Sequence, residues 1–589
     1  MELISNPVIS VVIPVYNGRE YLVESLDSVF NQTFTEFEVV LVDDGSSDNY
    51  DDLIKKYTYD SRFRYIKKDH NGISEALNLG IQLSRGEFIA RFDADDVMYP
   101  NRLERQLNIM REKPDVDILS GGFRWGVTKV DDEFFRNPVS YYTKESFKNG
   151  NVMAHPTVMM RKASLSKLPY LYEKYYDGGE DLKLWLTACR YGLKIYNDPE
   201  PVIKYREQKE KGENASVTGT TSVWHDWIAT PILRSHFEWK NENPELTCII
   251  GFQNEGAEIE KTVISIRATA GNVNIMLIND CSTDGFNYRK VAEEFGCEYY
   301  ETTENLGCAG SRDFGVSKCK SKYFVLLDGH MRFYHENWEE IYLKHLHEKE
   351  GSIIYANTLV FTKENFKYTE NGGEEIELKV YQAHNEDGRN GMKGDYIGAM
   401  INFDEPGWEF TGKWADKLPK AEEGNDENLI TTSGCMGATY ATSVAHWEKI
   451  GGLFGLIKWG SDEPFMALKT WLAGGKCYLI KDFPIGHFYR WGGMQPYVVT
   501  QDHVHHNQLL VIEWFGGSEE NKQRLRDNLK KRIGENLYNS AMNLYNSRKD
   551  KYYYKEQIEE FYKNVATVDL SVCQDYCVKY QLNEKKDSK

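Results

Sequence analysis

The chain repeats itself once. Near its start it reads ISVVIPVYNG, an apolar run ending at Asn17, and much later LTCIIGFQNEG, ending at Asn254. FEVVLVDDGSSD, with Asp44 and Asp48, is answered by VNIMLINDCSTD, with Asp280 and Asp284. HNGISEALNLGI, from about Asn71, is answered by NLGCAGSRDFGV from Asn305, and GEFIARFDADD, with Asp93, by KYFVLLDGH, with Asp328. The offsets are 237, 236, 234 and 235. Chance apolar runs do not hold one offset so closely. The period is that of a whole domain, not of a solenoid unit. The 589 residues therefore read as two large copies of one fold plus a remainder, where length alone also allows three or four domains.

Each copy alternates short apolar runs with helical spacing. The pattern predicts helices at Tyr21–Phe30 and Arg102–Met110 in the first copy, and at Ile259–Ala268 and Trp338–His347 in the second. Such alternation implies an α/β fold, a mostly parallel sheet with helices on both faces. Ligands of such sheets bind beyond the carboxyl ends of the strands. Asn17, Asp44, Asp93, Asn254, Asp280 and Asp328 all fall there.

The polar stretch Glu207–Ser222 reads as a linker, followed by a helix over Val223–Lys240 with a kink at Pro231. The expected organisation is a first domain at 1–240, a second at 241–515 and a helical tail at 516–589. Leu525, Leu529, Ile533, Leu537, Ala541 and Leu544 follow helical spacing. From Ser518 onward the tail has 15 Lys+Arg against 12 Asp+Glu, in a chain of net charge −19. The plain reading is an amphipathic helix packed on the domains. The sharper one is a contact with a protein partner or a peripheral membrane surface.

The acidic body argues against a nucleic-acid partner, but not against a small phosphorylated ligand held by a metal ion. Hydrophobic content of 41% excludes wholesale disorder. Val8–Val15 is too short and too interrupted to span a membrane, and Met1–Pro7 lacks signal-peptide features. Ten cysteines are scattered without paired CxxC motifs. Cys573 and Cys577 sit at helical spacing without nearby His partners, and read as buried or incidental thiols in a reducing compartment. The expected location is the cytoplasm, or the inner face of the membrane as a peripheral protein.

Asp93-Ala94-Asp95-Asp96 follows the apolar run FIARF. On an extended segment, carboxylates two apart point the same way and suit a hard divalent ion. Here the residues reach a family. Ile9–Arg206 resembles the family 2 glycosyltransferases, which have a GT-A fold, through VVIPVYNG, FEVVLVDDGSSD, HNGISEALNLGI, GEFIARFDADD, AHPTVMMRK and GGEDLKLWLTACRYG. The resemblance implies that Tyr16 and Asp44 contact the nucleotide base. It places Asp93 at the ribose and Asp95 at the metal and diphosphate. An inverting transfer needs a base for the acceptor hydroxyl. By resemblance that base is Asp181, beside Glu180, at the start of a helix expected over Leu182–Tyr191. His155 lines the acceptor side or is a satisfied structural histidine.

The second copy replaces the acidic pair with Asp328-Gly329-His330, and GHFYR supplies His487. Imidazole suits Mn²⁺ better than Mg²⁺. LLDGHMRFYHENW, GCMGATYATSVAHWEKIGGL, WGSDEPFMALKTWLAGGK and GHFYR resemble the polypeptide N-acetylgalactosaminyltransferases and, more loosely, chondroitin-polymerase domains. By that resemblance Asp328, His330 and His487 are metal ligands. Asn254 and Asp280 are the nucleotide-side counterparts of the first copy. Where those families carry a WGGE-type element, this chain reads Trp459-Gly460-Ser461-Asp462-Glu463. Which of Asp462 and Glu463 acts stays open, as does retention or inversion. The insertion from Glu364 to Gly424 reads as an acceptor-side loop region.

Together these readings imply two tandem GT-A domains forming a two-site glycosyltransferase. Each site would use one Mn²⁺ or Mg²⁺ and a nucleotide-sugar, with UDP-sugars the family-weighted donors. The acceptor would be a glycan, in surface or capsular polysaccharide synthesis. One alternative keeps a single catalytic domain, the other being an acceptor-binding module. A glycosyltransferase acting on modified DNA is a further alternative, against which the acidic body counts. A sugar nucleotidyltransferase would want a Gly-rich loop after the first strand, which Pro14-Val15-Tyr16-Asn17-Gly18 does not supply.

Overall fold

A computed structural model describes residues 7–581 apart from 126–133, 136–139, 174–175, 207–229, 240–241, 334, 362–365, 372, 374, 379–397, 404, 408, 416–425, 436–437 and 489–499. The chain divides into two compact units, Met1–Phe237 with Lys363–Glu386, and Glu238–Thr362 with Asp387–Lys589.

In the first unit, strands Ile9–Val15, Phe37–Asp44, Phe63–Lys68 and Phe88–Arg91 run parallel. Ile9–Val15 and Phe37–Asp44 are buried along their whole length, as parallel strands covered on both faces must be. Beyond Phe88–Arg91 lies Met159–Arg161, antiparallel, then Ile118–Trp125 and Ile195–Tyr205. In the second unit, Leu246–Phe252, Asn274–Asn279, Glu298–Glu301 and Tyr323–Leu327 run parallel. Antiparallel Tyr440–Ser443 follows, then Ile353–Phe361 and Cys477–Phe488. Numbered along each copy, these strands lie in the order 3-2-1-4-6-5-7 both times.

The repetition extends to single hydrogen bonds. Asn17 and Asn254 both take a left-handed backbone, with φ of 50° and 55°. Their N–H groups donate to Ser46 Oγ and Ser282 Oγ at 3.0 and 2.9 Å. Their Oδ1 atoms accept from Ser47 N–H and Thr283 N–H at 2.9 and 2.6 Å. Asp44 accepts from the N–H groups of Asn71 and Gly72, and Asp280 from those of Leu306 and Gly307. The third landmark thus pairs Gly72 with Gly307, one residue away from the Asn71–Asn305 alignment that the letters suggest.

The expected helices form at Arg19–Phe30, Arg102–Glu112, Glu180–Arg190, Ala257–Thr269 and Trp338–Glu348. Most of the expected linker lies outside the described residues, as does 223–229 of the helix expected after it. Pro231 stands in the described helical segment Thr230–Leu233.

Two differences from the sequence reading stand out. Strand Phe366–Glu370, from the insertion read as an acceptor-side loop, pairs antiparallel with Phe63–Lys68 and with Glu375–Leu378, so it extends the first unit's sheet. Tyr368 packs on Val40, Val42 and Ile66, and Arg64 Nε meets Glu370 Oε1 at 2.7 Å. The remainder of the insertion lies partly outside the described residues. The tail also differs: helix Glu519–Ile533 stops at Gly534, with φ of 85°, and Glu535–Lys549 begins anew. Leu525, Leu529, Ala541, Tyr554, Phe561, Cys573 and Cys577 are buried in the core of the second unit. The tail is thus part of that unit. Among the described residues no helix is long and apolar enough to cross a membrane.

Candidate active sites

In the first unit the strand Ile9–Val15 delivers Tyr16 to the carboxyl edge of the sheet, where the residue is 45% exposed and its ring stacks on that of His70 at 4.1 Å. Asp44 is buried behind them. Its carboxylate takes Lys68 Nζ at 2.5 Å together with the two loop N–H groups, and so holds the turn that leads into helix Ile73–Leu83.

The acidic cluster is not an extended strand end. The strand stops at Arg91, and Asp93–Asp96 is a turn in which Asp96 N–H donates to Asp93 O at 3.4 Å. Strand alternation therefore does not aim these carboxylates. Arg91 pairs with Asp93 at 2.5 Å. Arg206 clamps the turn, its N–H on Asp96 Oδ1 at 2.8 Å and its Nε on Asp95 O at 2.7 Å. Burial, with the charges of Asp93 and Asp95, pushes the Asp96 carboxyl well up.

Glu180 and Asp181 open helix Glu180–Arg190. Burial raises both above the ordinary carboxylate range. Asn151 Nδ2 donates to Asp181 Oδ2 at 2.6 Å, and Gly178 N–H donates to Glu180 Oε2 at 2.7 Å. His155 is buried with Nδ1 3.5 Å from Glu180, and its Nε2 lies 2.7 Å from Tyr172 Oη. Burial and the nearby Arg91 push its imidazole down to about 3, so it is neutral at pH 7.

In the second unit one ligand-type atom each from Asp328, His330 and His487 lies within 4.8 Å of the other two. Asp328 and His330 sit in the turn after strand Tyr323–Leu327, and His487 near the end of Cys477–Phe488. The antiparallel pairing of Met331 with His487 brings the two histidines together across 159 and 157 residues of chain from Asp328 and His330 to His487. His487 Nε2 is 3.1 Å from Asp328 Oδ2. Burial acts upward on Asp328, but His487, Arg312 and His330 together hold its carboxyl well below the usual range. Glu255 Oε2 takes Nδ1 of His330 at 3.2 Å. A carboxylate on one imidazole nitrogen leaves the other to face a cation. One carboxylate and two imidazoles fit a divalent transition metal. Among the described residues this is the one such three-residue cluster.

Arg312, from helix Gly307–Lys318, joins the cluster to the next element. Its Nη2 meets Asp328 Oδ1 at 2.9 Å and its Nη1 meets Asp462 Oδ2. Asp462 and Glu463 open helix Asp462–Leu472. Burial and the neighbouring Asp462 push Glu463 up to about 8. Asp280 holds Leu306 and Gly307 as Asp44 holds its own loop, and accepts from Thr302 Oγ1 at 2.9 Å as well. Asn254 orders the Ser282–Thr283 turn.

Arg312, Glu255 and Arg206 escape sequence reasoning. Arg312 and Glu255 stand inside the repeat motifs SRDFG and FQNEG, where charged residues in apolar or glycine-rich surroundings are the available signal.

A family model described as Glycosyl transferase family 2 matches residues 10–168 and 247–404. An uncharacterized glycosyltransferase of Rickettsia bellii is 25% identical over 400 residues, covering 60% of this chain and 57% of its own. One of Methanocaldococcus jannaschii is 33% identical over 213 residues, covering 34% of this chain and 71% of its own. The chain spans 57% and 65% of the lengths of the two Rickettsia relatives from R. bellii and R. felis. A crystal structure of GalNAc-T7 with UDP, GalNAc and Mn²⁺ is 18% identical with a TM-score of 0.36, covering 56% of this chain and 58% of that one.

Proposed function

Because the chain belongs to glycosyl transferase family 2, matched twice along its length, we propose that it is a two-site glycosyltransferase. Each GT-A domain takes a sugar from a nucleotide-sugar, with UDP-sugars the donors favoured by family membership. The acceptor is a growing glycan of the surface or capsular polysaccharide class. Two unlike sites suit an alternating polymer or two consecutive additions.

The observation that carries this reading is the Asp328–His330–His487 cluster at a strand's carboxyl end, linked through Arg312 to Asp462. A divalent ion held there would neutralise diphosphate oxygens as the bond to the sugar breaks. Glu255 orients His330, and Arg312 bridges Asp328 and Asp462, placing one positive charge between the two carboxylates. Glu463, whose burial beside Asp462 lets it carry a proton near neutral pH, can donate it. In the first domain Asp181 accepts the proton of the acceptor hydroxyl as its oxygen attacks the anomeric carbon, with Asn151 fixing the carboxylate. Tyr16 offers a face for the base, and the Asp93–Asp96 turn, with Asp95, faces the diphosphate.

The test is a donor panel with Mn²⁺ and Mg²⁺ on the full chain and on the Asp95→Asn and His330→Ala variants. Two donors are expected, one lost in each variant. If both variants lose the same single sugar and no second donor is used, two-sugar synthesis is wrong.

A further inference from the structure

Helix Gln501–Phe515 carries a fully buried amide, Asn507, directed at the loop that leads into Asp462 and Glu463. Asn507 Oδ1 accepts from Ile457 N–H at 2.9 Å. Its Nδ2 lies 2.8 Å from Ile457 O, 2.9 Å from Gly460 O and 3.3 Å from Trp459 O. Two N–H groups are thus shared over three carbonyls of one loop.

The loop needs such a grip. Lys458, Gly460 and Ser461 take positive φ values of 52°, 99° and 67°. Non-glycine residues hold that conformation only where the surroundings over-determine it. Carbonyls turned inward by such a path must also find donors. The opposite side of the loop is tied down too. Lys458 Nζ donates to Asn305 O at 2.5 Å, and a Cβ on Gly307 would stand 2.2 Å from Lys458 Cα. The Leu306–Gly307 backbone is in turn held by Asp280. One side chain from a helix far along the chain therefore closes a continuous path from the nucleotide-side Asp280 to the carboxylates at 462 and 463.

We propose that Asn507 is a positioning residue of the second site, holding Asp462 and Glu463 in register with the Asp328–His330–His487 cluster through the Ile457–Ser461 loop. This rests on the reading of that site given above. Asn507 touches none of the reacting atoms, so its loss acts on turnover, not on metal affinity. A misplacement of about 1 Å can cost about 100-fold in rate.

The experiment compares the full-length protein with Asn507→Asp and Asn507→Ala. The Asp variant keeps the shape and the acceptor for Ile457 N–H but turns the donor into an oxygen facing three carbonyls. Hydrogen–deuterium exchange is read over residues 453–463, with Mn²⁺ affinity and, where a donor is found, kcat and KM. Exchange in that segment should quicken by about tenfold or more. Mn²⁺ affinity should hold within about threefold, and kcat should fall by about 100-fold with KM little changed. Unchanged exchange and turnover in both variants would overturn the proposal. So would acceleration spread evenly over the core of the unit, which marks a general folding role. If the wild-type chain transfers no sugar at all, the glycosyltransferase reading fails by itself, and the local exchange pattern still decides what Asn507 holds.

Discussion

Glu255 Oε2 stands 3.2 Å from Nδ1 of His330. The contact occupies one nitrogen of the imidazole and leaves the other for a metal ion. Removing such a partner typically costs 10–100-fold in metal affinity, as an order of magnitude. Glu255→Gln is therefore expected to weaken Mn²⁺ binding by about 10-fold or more while the far-UV circular dichroism is unchanged. Titration calorimetry with Mn²⁺ checks it, and an affinity equal to wild type would remove Glu255 from the site.

Arg312 compensates two carboxylates at once, those of Asp328 and Asp462. Breaking a buried pair by deleting one partner costs about 3–5 kcal/mol. Arg312→Met should lower the unfolding temperature markedly, and Mn²⁺ should recover more of that loss than it adds to wild type, because the ion restores positive charge beside Asp328. Thermal melts with and without Mn²⁺ decide the point. A variant as stable as wild type without metal would contradict it.

In the first domain, Asp181→Asn keeps the size of the side chain but cannot take a proton, and it replaces one of the two oxygens that accept from Asn151 Nδ2 and Leu182 N–H with a donor. Loss of a general base costs about 10²–10⁴-fold. Transfer by the first site should fall by that order while nucleotide binding, followed by calorimetry, holds. Transfer at the wild-type rate would assign the proton elsewhere.

Lys469 is wholly buried, its ammonium over the rings of Phe465 and Trp514 at 4.1 and 4.2 Å. Burial pushes it down to about 7. The unfolded chain holds this proton up to the ordinary lysine range, so between the two values the unfolded state binds more protons. Stability should therefore rise as pH increases above about 7, by at most about 1.4 kcal/mol per pH unit from this group. Lys469→Met should flatten that rise in urea melts at pH 7 to 9. Parallel curves for variant and wild type would show that the aromatic rings keep the lysine charged.

The Phe366–Leu378 hairpin covers the edge of strand Phe63–Lys68. A fragment ending at 240 would leave that edge open, and open edges recruit other chains. Such a fragment should associate at concentrations where the full chain does not, and a peptide spanning 363–386 should reverse this. Light scattering is the measurement, and a monodisperse fragment would argue against the hairpin's part in the sheet.

The fold was readable because its determinants are local. Apolar runs such as VVIPV mark covered strands, and helices such as Trp338–Glu348 show their periodicity within a few turns. The strand-end residues of both copies could be named from the offset alone. Asp93–Asp96 misled the strand-alternation argument because a turn and an extended end share the same letters. Gly534 ended what looked like one continuous helix, and its φ of 85° is available to glycine at little cost.

The sequence by itself determined that one α/β plan occurs twice, that the two copies carry different residues at one position, Asp93-Ala94-Asp95 against Asp328-Gly329-His330, and that GHFYR supplies His487 as a third ligand-type residue. Tertiary structure decided which groups meet. Pairing of Met331 with His487 sets the imidazoles side by side. Helix packing lays Arg312 between Asp328 and Asp462, and Asn507 reaches the loop before Asp462 from a helix some fifty residues later in the chain. These are contacts between residues with |i−j| of 16, 150 and 50. Their partners are set by sheet register and helix packing, and neither is written in the periodicity of any one segment.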